Sequence, residues 1–179
     1  PGIVTCGRGD LQHGLAGDVS LFSANGSYSV FATMAAAMDW GSTNARVLSN
    51  SWYWDSVNTA APWAADRQQD WFVRQNFDSV LVASGNFGNG CGSGFSTFVV
   101  SPAKGNNILA IGNDTDVDTV AWAGDAMNTC SSFGDPQNSV GGTIAKPEMS
   151  GVGTTITSTL ANVSPPLTGP VGSGTSYST

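Results

Sequence analysis

The distribution of apolar and polar residues along the chain predicts strands that alternate with helices. Residues 18–24, 46–51, 79–83 and 108–111 have the length and apolar content of strands. Residues 79–83 and 108–111 are apolar almost throughout, which is typical of strands that are covered on both faces. We therefore expect these segments to form the centre of one sheet.

The clearest helical pattern lies in residues 27–40. Val30, Met34 and Met38 recur there at a spacing of four, and a serine at position 27 or 29 is available as the N-cap. A stripe of methionine and aromatic residues is compatible with a ligand box, but packing against a core explains it more simply. We assign the stripe to the core.

A second helix is predicted over residues 62–76. Pro62 suits its first turn, and Asp66 lies near the positive end of the helix dipole. The side chains expected to face inward are Ala65, Trp71 and Phe72.

The order β-α-β-α-β, followed by a loop and another strand, predicts an α/β fold with a parallel sheet flanked by helices. In such sheets, ligands bind beyond the carboxyl ends of the strands. Those ends are Asn50-Ser51 and Gly85-Asn86, so the order of elements alone places Asn86 where chemistry is usual. After residue 112 we expect short strands at 120–123 and 131–133, an edge strand at 155–159, and a loop at 161–170.

Composition narrows the classes of partner. The chain of 179 residues, 40% of them hydrophobic, is long enough for one domain with a core. Its net charge of −7 with only 6 Lys and Arg argues against nucleic acid as a partner. No apolar run approaches the roughly 18 residues of a membrane span. The low charged fraction, with abundant glycine, serine, threonine and asparagine, favours a secreted protein.

The three cysteines are Cys6, Cys91 and Cys130. Cys91 and Cys130 both lie in loop-like sequence, and a disulfide between them is one hypothesis, which fits an oxidising compartment. Cys6 would then be free or paired outside the chain. The alternative is three buried thiols.

No metal site is predicted from Cys and His spacing. Asp114, Asp116 and Asp118 alternate in a polar stretch, which leaves Ca²⁺ as a candidate ligand. The EF-hand pattern fails because Thr119 stands where glycine is needed. A solvated turn is the preferred interpretation.

Two short motifs are candidates for catalytic chemistry. Gly174-Thr175-Ser176 lies near the end of the sequence, and Ser84-Gly85-Asn86 directly follows an apolar run. Taken alone, a serine after glycine is usually a turn or a helix cap, and asparagine after glycine is usually a turn residue. However, a serine can act as a nucleophile, and an amide at a strand end can donate a hydrogen bond to an oxyanion.

The motifs Gly174-Thr175-Ser176 and Ser84-Gly85-Asn86 belong to a longer series of motifs that follow one another along the chain. In chain order they are Gly14–Leu21, Val47–Trp52, Val82–Gly88, Ser101–Lys104 with Ile108–Gly112, Ser131–Gly134, Lys146–Glu148, Gly151–Gly153 and Gly174–Ser176. The series resembles that of the subtilisin-like serine peptidases, the subtilases, over roughly residues 13–179. The resemblance implies a subtilisin-like fold and a serine endopeptidase that hydrolyses peptide or protein substrates.

The resemblance also implies residue roles. Ser176 matches the nucleophile that forms the acyl-enzyme, and Asn86 matches the donor in the oxyanion hole. The backbone of Ser51, Trp52 and Tyr53 matches the edge where substrate pairs as an extra strand. The residues that would line the first specificity pocket are Ala83, Ser84, Gly85 and Val100, with bulk at Val100 making the pocket shallower.

The aspartate and histidine motifs that the family carries upstream are not present in these residues. His13 is the single histidine, and although Asp10 lies near it, both are more simply explained as solvated loop residues. We therefore expect residues 1–179 to be part of a catalytic domain that is incomplete at both ends, running from just after the histidine motif to the serine. The catalytic Asp and His would come from outside these residues, either from residues upstream or from a second chain. The alternatives are an inactive, peptide-binding remnant, or a structural module in which Ser176 is only a cap.

Overall fold

The computed structural model describes residues 16, 19–27, 29–54, 61–88, 91, 99–117, 122–134, 143–159 and 168–179. The helices are α1 (Phe31–Asn44), α2 (Ala64–Asn76) and α3 (Thr175–Ser178), with a 3₁₀ turn at Trp122–Gly124. The strands are β1 (Val47–Asn50), β2 (Ser79–Ala83), β3 (Leu109–Thr115), β4 (Ala126–Met127), β5 (Met149–Val152), β6 (Ile156–Thr159) and β7 (Thr168–Gly172).

The main sheet is largely parallel. β1 pairs with β2, β2 with β3, and β3 with β5, all in parallel, while the short β4 pairs with β3 in the antiparallel direction. β6 and β7 form a separate antiparallel ribbon. The predicted α/β fold, a parallel sheet flanked by helices, is confirmed, and the parallel register brings the carboxyl ends of β1 and β2 to one edge.

The core lies between one face of the sheet and the two long helices. Its buried side chains come from α1, α2, the central strands and residues 99–108 that precede β3, and include Met34, Met38, Phe72, Val80, Val82, Ile108 and Ala110. The assignment of the methionine stripe to the core is therefore confirmed. Full burial of one such side chain stabilises the fold by about 1.5–3 kcal/mol.

The prediction that Trp71 faces inward is wrong, because its side chain is 52% exposed. Ala65, Gln69 and Phe72 are fully buried. These three residues share one face of α2 at a spacing of four and three, whereas Trp71 is turned about 100° from Phe72.

The strand predicted at residues 18–24 does not form in the described residues 19–24. Val19, Leu21 and Phe22 are each about half exposed, and within the described ranges no strand pairs with this segment. Without a neighbour to complete the ladder, the apolar pattern alone does not make a strand.

Other boundaries also differ from those predicted. α1 begins four residues later than expected, at Phe31, and no side chain caps it. Residues 122–124 form a 3₁₀ turn, 131–133 belong to no strand, and the predicted loop at 161–170 overlaps β7. The strand predicted at 155–159 is confirmed as β6, and residues 118–121 and 160–167 lie outside the described residues.

Asp66 joins the start of α2 to the turn after residue 100. Its carboxylate accepts hydrogen bonds from the Trp63 N–H (2.7 Å), the Ser101 hydroxyl (2.6 Å) and the Lys104 N–H (2.8 Å). Burial raises the pKa of the Asp66 carboxyl above its ordinary value, although these hydrogen bonds oppose the shift.

Cys91 and Cys130 form a disulfide, as hypothesised. None of the helices in the described part of the chain is long and apolar enough to cross a membrane.

Candidate active site

Ser176 lies in the first turn of α3 and is exposed to solvent. The chain enters this helix through Gly174, whose N–H donates to the Gly153 carbonyl at 2.8 Å. A Cβ on Gly153 would lie 2.6 Å from both the Gly174 oxygen and Asn113 Oδ1, so only glycine allows α3 to approach the sheet here. The helix thus begins one residue before the serine.

Thr175 connects Ser176 to Asn86. Its side chain is fully buried. The Thr175 N–H donates to Asn86 Oδ1 at 2.8 Å and its hydroxyl donates to the same oxygen at 3.1 Å, while the Gly85 N–H donates to the Thr175 hydroxyl at 3.2 Å. These bonds fix which end of the Asn86 amide faces Thr175, because a flipped amide would oppose donor to donor.

The amide nitrogen of Asn86 is consequently left as a donor. Among the residues that the structure describes, none accepts a hydrogen bond from Nδ2, and Asn86 is exposed. A Cβ on Gly174 would lie 3.1 Å from Nδ2, so this donor is beside the backbone that leads into Ser176. The predicted pair, Asn86 and Ser176, is thus brought together.

The segment that carries Asn86 is held by backbone bonds on both sides. The Ser84 N–H donates to the Ile111 carbonyl (2.9 Å), and the Ser132 N–H donates to the Gly85 carbonyl (2.8 Å). The Gly88 N–H donates to the Cys130 carbonyl (2.9 Å), next to the disulfide with Cys91. The loop is therefore tied to the neighbouring turn, which limits how far Asn86 can move.

The predicted peptide-binding edge lies against the other side of Ser176. The Ser176 hydroxyl donates to the Ser51 carbonyl at 3.4 Å, and the Ser51 hydroxyl donates to the Ser176 carbonyl at 3.0 Å. The backbone N–H groups of Trp52 and Tyr53 find no acceptor within the described ranges. Backbone N–H groups of this kind are the ones through which an extended peptide would pair as an additional strand.

Of the residues predicted to line the first specificity pocket, Ala83 ends β2, and the Val100 N–H donates to the Ser84 carbonyl at 3.0 Å. Ala83, Ser84, Gly85 and Val100 are all buried. A Cβ on Gly85 would lie 2.9 Å from Val100 Cγ2 and 3.3 Å from Val100 Cγ1, so the two methyl groups occupy the space over this glycine. Gly85 has φ of +109°, which also disfavours any side chain there.

Neither His13 nor Asp10 lies within the described residues, and no histidine does. Asp118 of the candidate calcium stretch is also outside them. Across the described residues, no group of three His, Cys, Asp or Glu side chains is placed to hold a metal ion.

Sequence reasoning missed two residues that position the site. Thr175 was considered only as the middle residue of Gly174-Thr175-Ser176, and its bonds to Asn86 depend on a burial that the sequence does not reveal. Ser132 was noted only as part of the motif Ser131–Gly134, and nothing in the sequence indicated that its hydroxyl accepts from the Phe87 N–H at 3.0 Å.

The topology and the position of Ser176 and Asn86 beyond the strand ends define a subtilisin-like fold. Comparison with solved structures agrees. PagA, a prenylagaramide maturation protease, shares 18% identity at a TM-score of 0.68, over 99% of this chain and 57% of that chain. The subtilase cytotoxin SubAB shares 15% identity at a TM-score of 0.55, over 83% of this chain and 48% of that chain.

At these identities the likeness concerns the fold, and this chain spans about half the length of either structure. No protein-family model and no curated protein sequence matches the chain.

Proposed function

We propose that this chain carries the nucleophile and oxyanion half of a serine endopeptidase that cleaves peptide bonds through an acyl-enzyme on Ser176. The observation that carries the proposal is the bonding of Asn86: Thr175 occupies its Oδ1, which leaves Nδ2 as a donor beside the exposed Ser176. A preorganised donor of this kind stabilises the charge that develops on the attacked carbonyl.

In the proposed reaction, residues 51–53 hold the peptide on one side of Ser176 and Asn86 stabilises the developing charge on the other. A peptide that pairs with the backbone of residues 51–53 brings its carbonyl to Ser176 Oγ. As the hydroxyl oxygen attacks the carbonyl carbon, the negative charge moves to the carbonyl oxygen, where Asn86 Nδ2 donates. The Ser176 N–H, for which no described residue is an acceptor, is a second donor.

A base is required to take the proton of Ser176 and to return it to the leaving amine. We infer that it comes from a further polypeptide segment that carries the histidine and its orienting aspartate. In the resting geometry the Ser176 hydroxyl donates to the Ser51 carbonyl, which cannot serve as a base.

A cavity beside β1 supports this assignment. It measures about 340 Å³ and lies between α1, β1 and the segment that contains Phe22 and Ala24–Gly26, and Trp52 is also part of its lining. Val47 of β1 is 63% exposed, and Asn50 Nδ2 is buried without a hydrogen-bond partner. Within the described part of the chain, β1 pairs on one side only. The cavity suits an extended apolar strand that completes the sheet and brings a carboxylate to its edge.

The second candidate is a non-catalytic module that binds extended peptides. The bond between Ser176 Oγ and the Ser51 carbonyl favours it, because the hydroxyl is engaged with a main-chain group. Both candidates use the same edge for peptide and differ only in whether Ser176 reacts.

A fluorophosphonate probe separates the two candidates. The protein is purified from its source, intact mass and peptide mapping establish which polypeptides accompany this chain, and the labelled residue is mapped. We expect a histidine-bearing partner polypeptide and label on Ser176. The Ser176→Ala variant should lose the label, and the matched control Ser173→Ala should keep it.

Label on another serine, or no label in material that contains the histidine-bearing polypeptide, would contradict the peptidase proposal. If this chain is present alone and Ser176 stays unlabelled, the peptide-binding module takes its place.

A further inference from the structure

We propose that Asn113 is a positioning residue for Ser176. The side chain of Asn113, in the middle of the sheet, holds the end of α3 through Ser178 and thereby fixes the direction in which the Ser176 hydroxyl faces. The inference rests on the proposed function and adds to it a residue that would act through α3 rather than on the peptide.

α3 is a single turn that cannot hold its own orientation. It spans only Thr175–Ser178, whereas isolated helices shorter than about 12–15 residues are marginal in water. Ser176 is turned by about 100° from Thr175 around the helix axis, which directs it away from the sheet and towards the peptide-binding edge. A small rotation of the turn would carry the hydroxyl away from that edge, so its direction depends on what the sheet holds.

The sheet holds α3 at two points. At the start of the helix, the Thr175 N–H and hydroxyl both donate to Asn86 Oδ1. At its end, the Ser178 hydroxyl donates to Asn113 Oδ1 at 3.5 Å. Thr175 and Ser178 are three residues apart and therefore share a helix face. The bond at Thr175 alone would leave the turn free to pivot, and the bond at Ser178 removes that freedom.

Asn113 is itself fixed. Its side chain is 1% exposed, and Oδ1 accepts a second hydrogen bond, from the Thr154 hydroxyl at 3.3 Å. Its backbone N–H donates to the Ser131 hydroxyl at 3.0 Å, and its carbonyl accepts from the Asn128 N–H at 2.9 Å. An amide that is buried and bonded on both its backbone and its side chain provides a rigid support for α3.

A chain of hydrogen bonds joins Asn113 to the loop that carries the oxyanion donor. The Cys130 N–H donates to Asn128 Oδ1 at 2.9 Å, which orients the amide so that Nδ2 donates to the Thr154 hydroxyl at 3.1 Å. Thr154 is then left with its proton to donate to Asn113. The Cys130 carbonyl accepts from the Gly88 N–H in the loop. Asn113 therefore connects the support of the serine to the support of the oxyanion donor.

The expected effects follow from the loss of one or two hydrogen bonds. One such bond changes the equilibrium that it holds by a factor of about two to ten. Displacement of a reacting group by about 1 Å can slow a reaction by about 100-fold. We expect Ser178→Ala, which removes only the donor, to lower the maximum rate of labelling at Ser176 by about two- to tenfold. Asn113→Ala should lower it by about tenfold or more.

The test measures fluorophosphonate labelling of the complete protein, that is, this chain together with the histidine-bearing polypeptide segment, over a range of probe concentrations. Loss of positioning should lower the maximum labelling rate and leave unchanged both the half-saturating probe concentration and the fraction finally labelled. Loss of folded structure would instead lower that fraction.

The matched control is Ser150→Ala. The Ser150 hydroxyl donates to Asp114 Oδ2, also in β3, at 3.4 Å, and this bond does not involve α3. The Ser150→Ala variant should therefore label at the wild-type rate.

A double variant tests whether Asn113 acts through Ser178. Because each single substitution removes the bond between these two side chains, the double variant should label no more slowly than Asn113→Ala alone. If Asn113→Ala does not fold, the rate of Ser178→Ala decides the test, since that side chain is only partly buried.

A wild-type rate for Ser178→Ala, a fall in the labelled fraction alone, or rate losses that multiply in the double variant would each overturn the role of Asn113 and leave the proposed function standing. Wild-type protein that is not labelled at Ser176 would overturn the proposed function and the role of Asn113 together.

Discussion

The two sides of the sheet's carboxyl end differ in how completely they are built. On the oxyanion side, Asn86 is bound to Thr175, the loop is tied to its neighbours, and Gly153 allows α3 to pack closely. On the outer edge, which comprises residues 19–27 and the unpaired side of β1, apolar side chains are exposed beside a cavity. Under the proposed function, the half that would stabilise charge is preorganised, whereas the half that would supply a base is open.

This difference separates two requirements of serine chemistry. Stabilisation of an oxyanion depends on donors held rigidly in advance, and the hydrogen bonds around Thr175 provide that rigidity. Proton transfer depends on a base within hydrogen-bond reach of the serine, and no histidine lies in the described part of the chain. A site whose base comes from a further polypeptide segment would need both features: oxyanion donors that are already fixed, and an unpaired sheet edge where that segment can bind.

The largest effect on the oxyanion side is expected from Gly153→Ala. The new Cβ would lie 2.6 Å from the Gly174 oxygen, so α3 would have to move away from the sheet. We expect the free energy of unfolding, measured with urea, to fall by about 3 kcal/mol.

Gly41→Ala in α1 is the matched control for Gly153→Ala. A Cβ there would make only an ordinary contact, 3.5 Å from Leu48 Cδ2, and helix propensity favours alanine. Equal destabilisation by the two substitutions would contradict close packing at Gly153.

Thr175→Val should have the next largest effect. It removes the hydroxyl that donates to Asn86 and leaves the buried Gly85 N–H without its acceptor, which costs about 2 kcal/mol of unfolding free energy. The labelling rate of Ser176 should fall at the same time, because the amide of Asn86 loses one of its two anchors.

Thr175→Ser keeps the hydroxyl and should retain most of the labelling rate. If Thr175→Val labels at the wild-type rate, Thr175 does not position Asn86.

The fold explains why the sequence predicted the central sheet better than it predicted the structure around it. The position of Asn86 follows from the order of the strands, and Ser176 was singled out by the series of motifs that carries the family resemblance; both are patterns along the chain. The strand expected at residues 18–24 failed because pairing requires a neighbour that no local pattern reveals. Trp71 was predicted to face the core because it is apolar. Of the two neighbouring aromatic residues, however, it is Phe72 that shares a helix face with Ala65.

A smaller effect is expected from Asp66, whose carboxyl should make the free energy of unfolding depend on pH. Its folded pKa is raised above the ordinary value near 3.8, so the folded state holds the proton more tightly than the unfolded state. The Asp66 carboxyl therefore contributes to the free energy of unfolding at low pH. The contribution is complete below the pKa that this carboxyl has in the unfolded chain, and it is lost as the pH rises through its pKa in the folded chain.

Asp66→Asn should remove this slope from urea unfolding measured between pH 3 and pH 7. A variant with the same slope as wild type would show that another group titrates.

The smallest effect is expected on the outer edge. Val47→Thr should change the free energy of unfolding by less than about 0.5 kcal/mol, because the side chain is already 63% exposed. Val80→Thr in β2 is the matched substitution on the closed side and should cost about 2 kcal/mol, since Val80 is buried. Equal costs at the two positions would mean that the outer edge is not open.

The most direct test of the central claim is a crystal structure of the fluorophosphonate adduct on Ser176. The account predicts that a phosphonyl oxygen accepts from Asn86 Nδ2 and from the Ser176 N–H, at about 2.7–3.1 Å from each nitrogen, with the Thr175–Asn86 bonds unchanged. A phosphonyl oxygen that faces solvent, or an Asn86 amide that has turned away from Thr175, would contradict it.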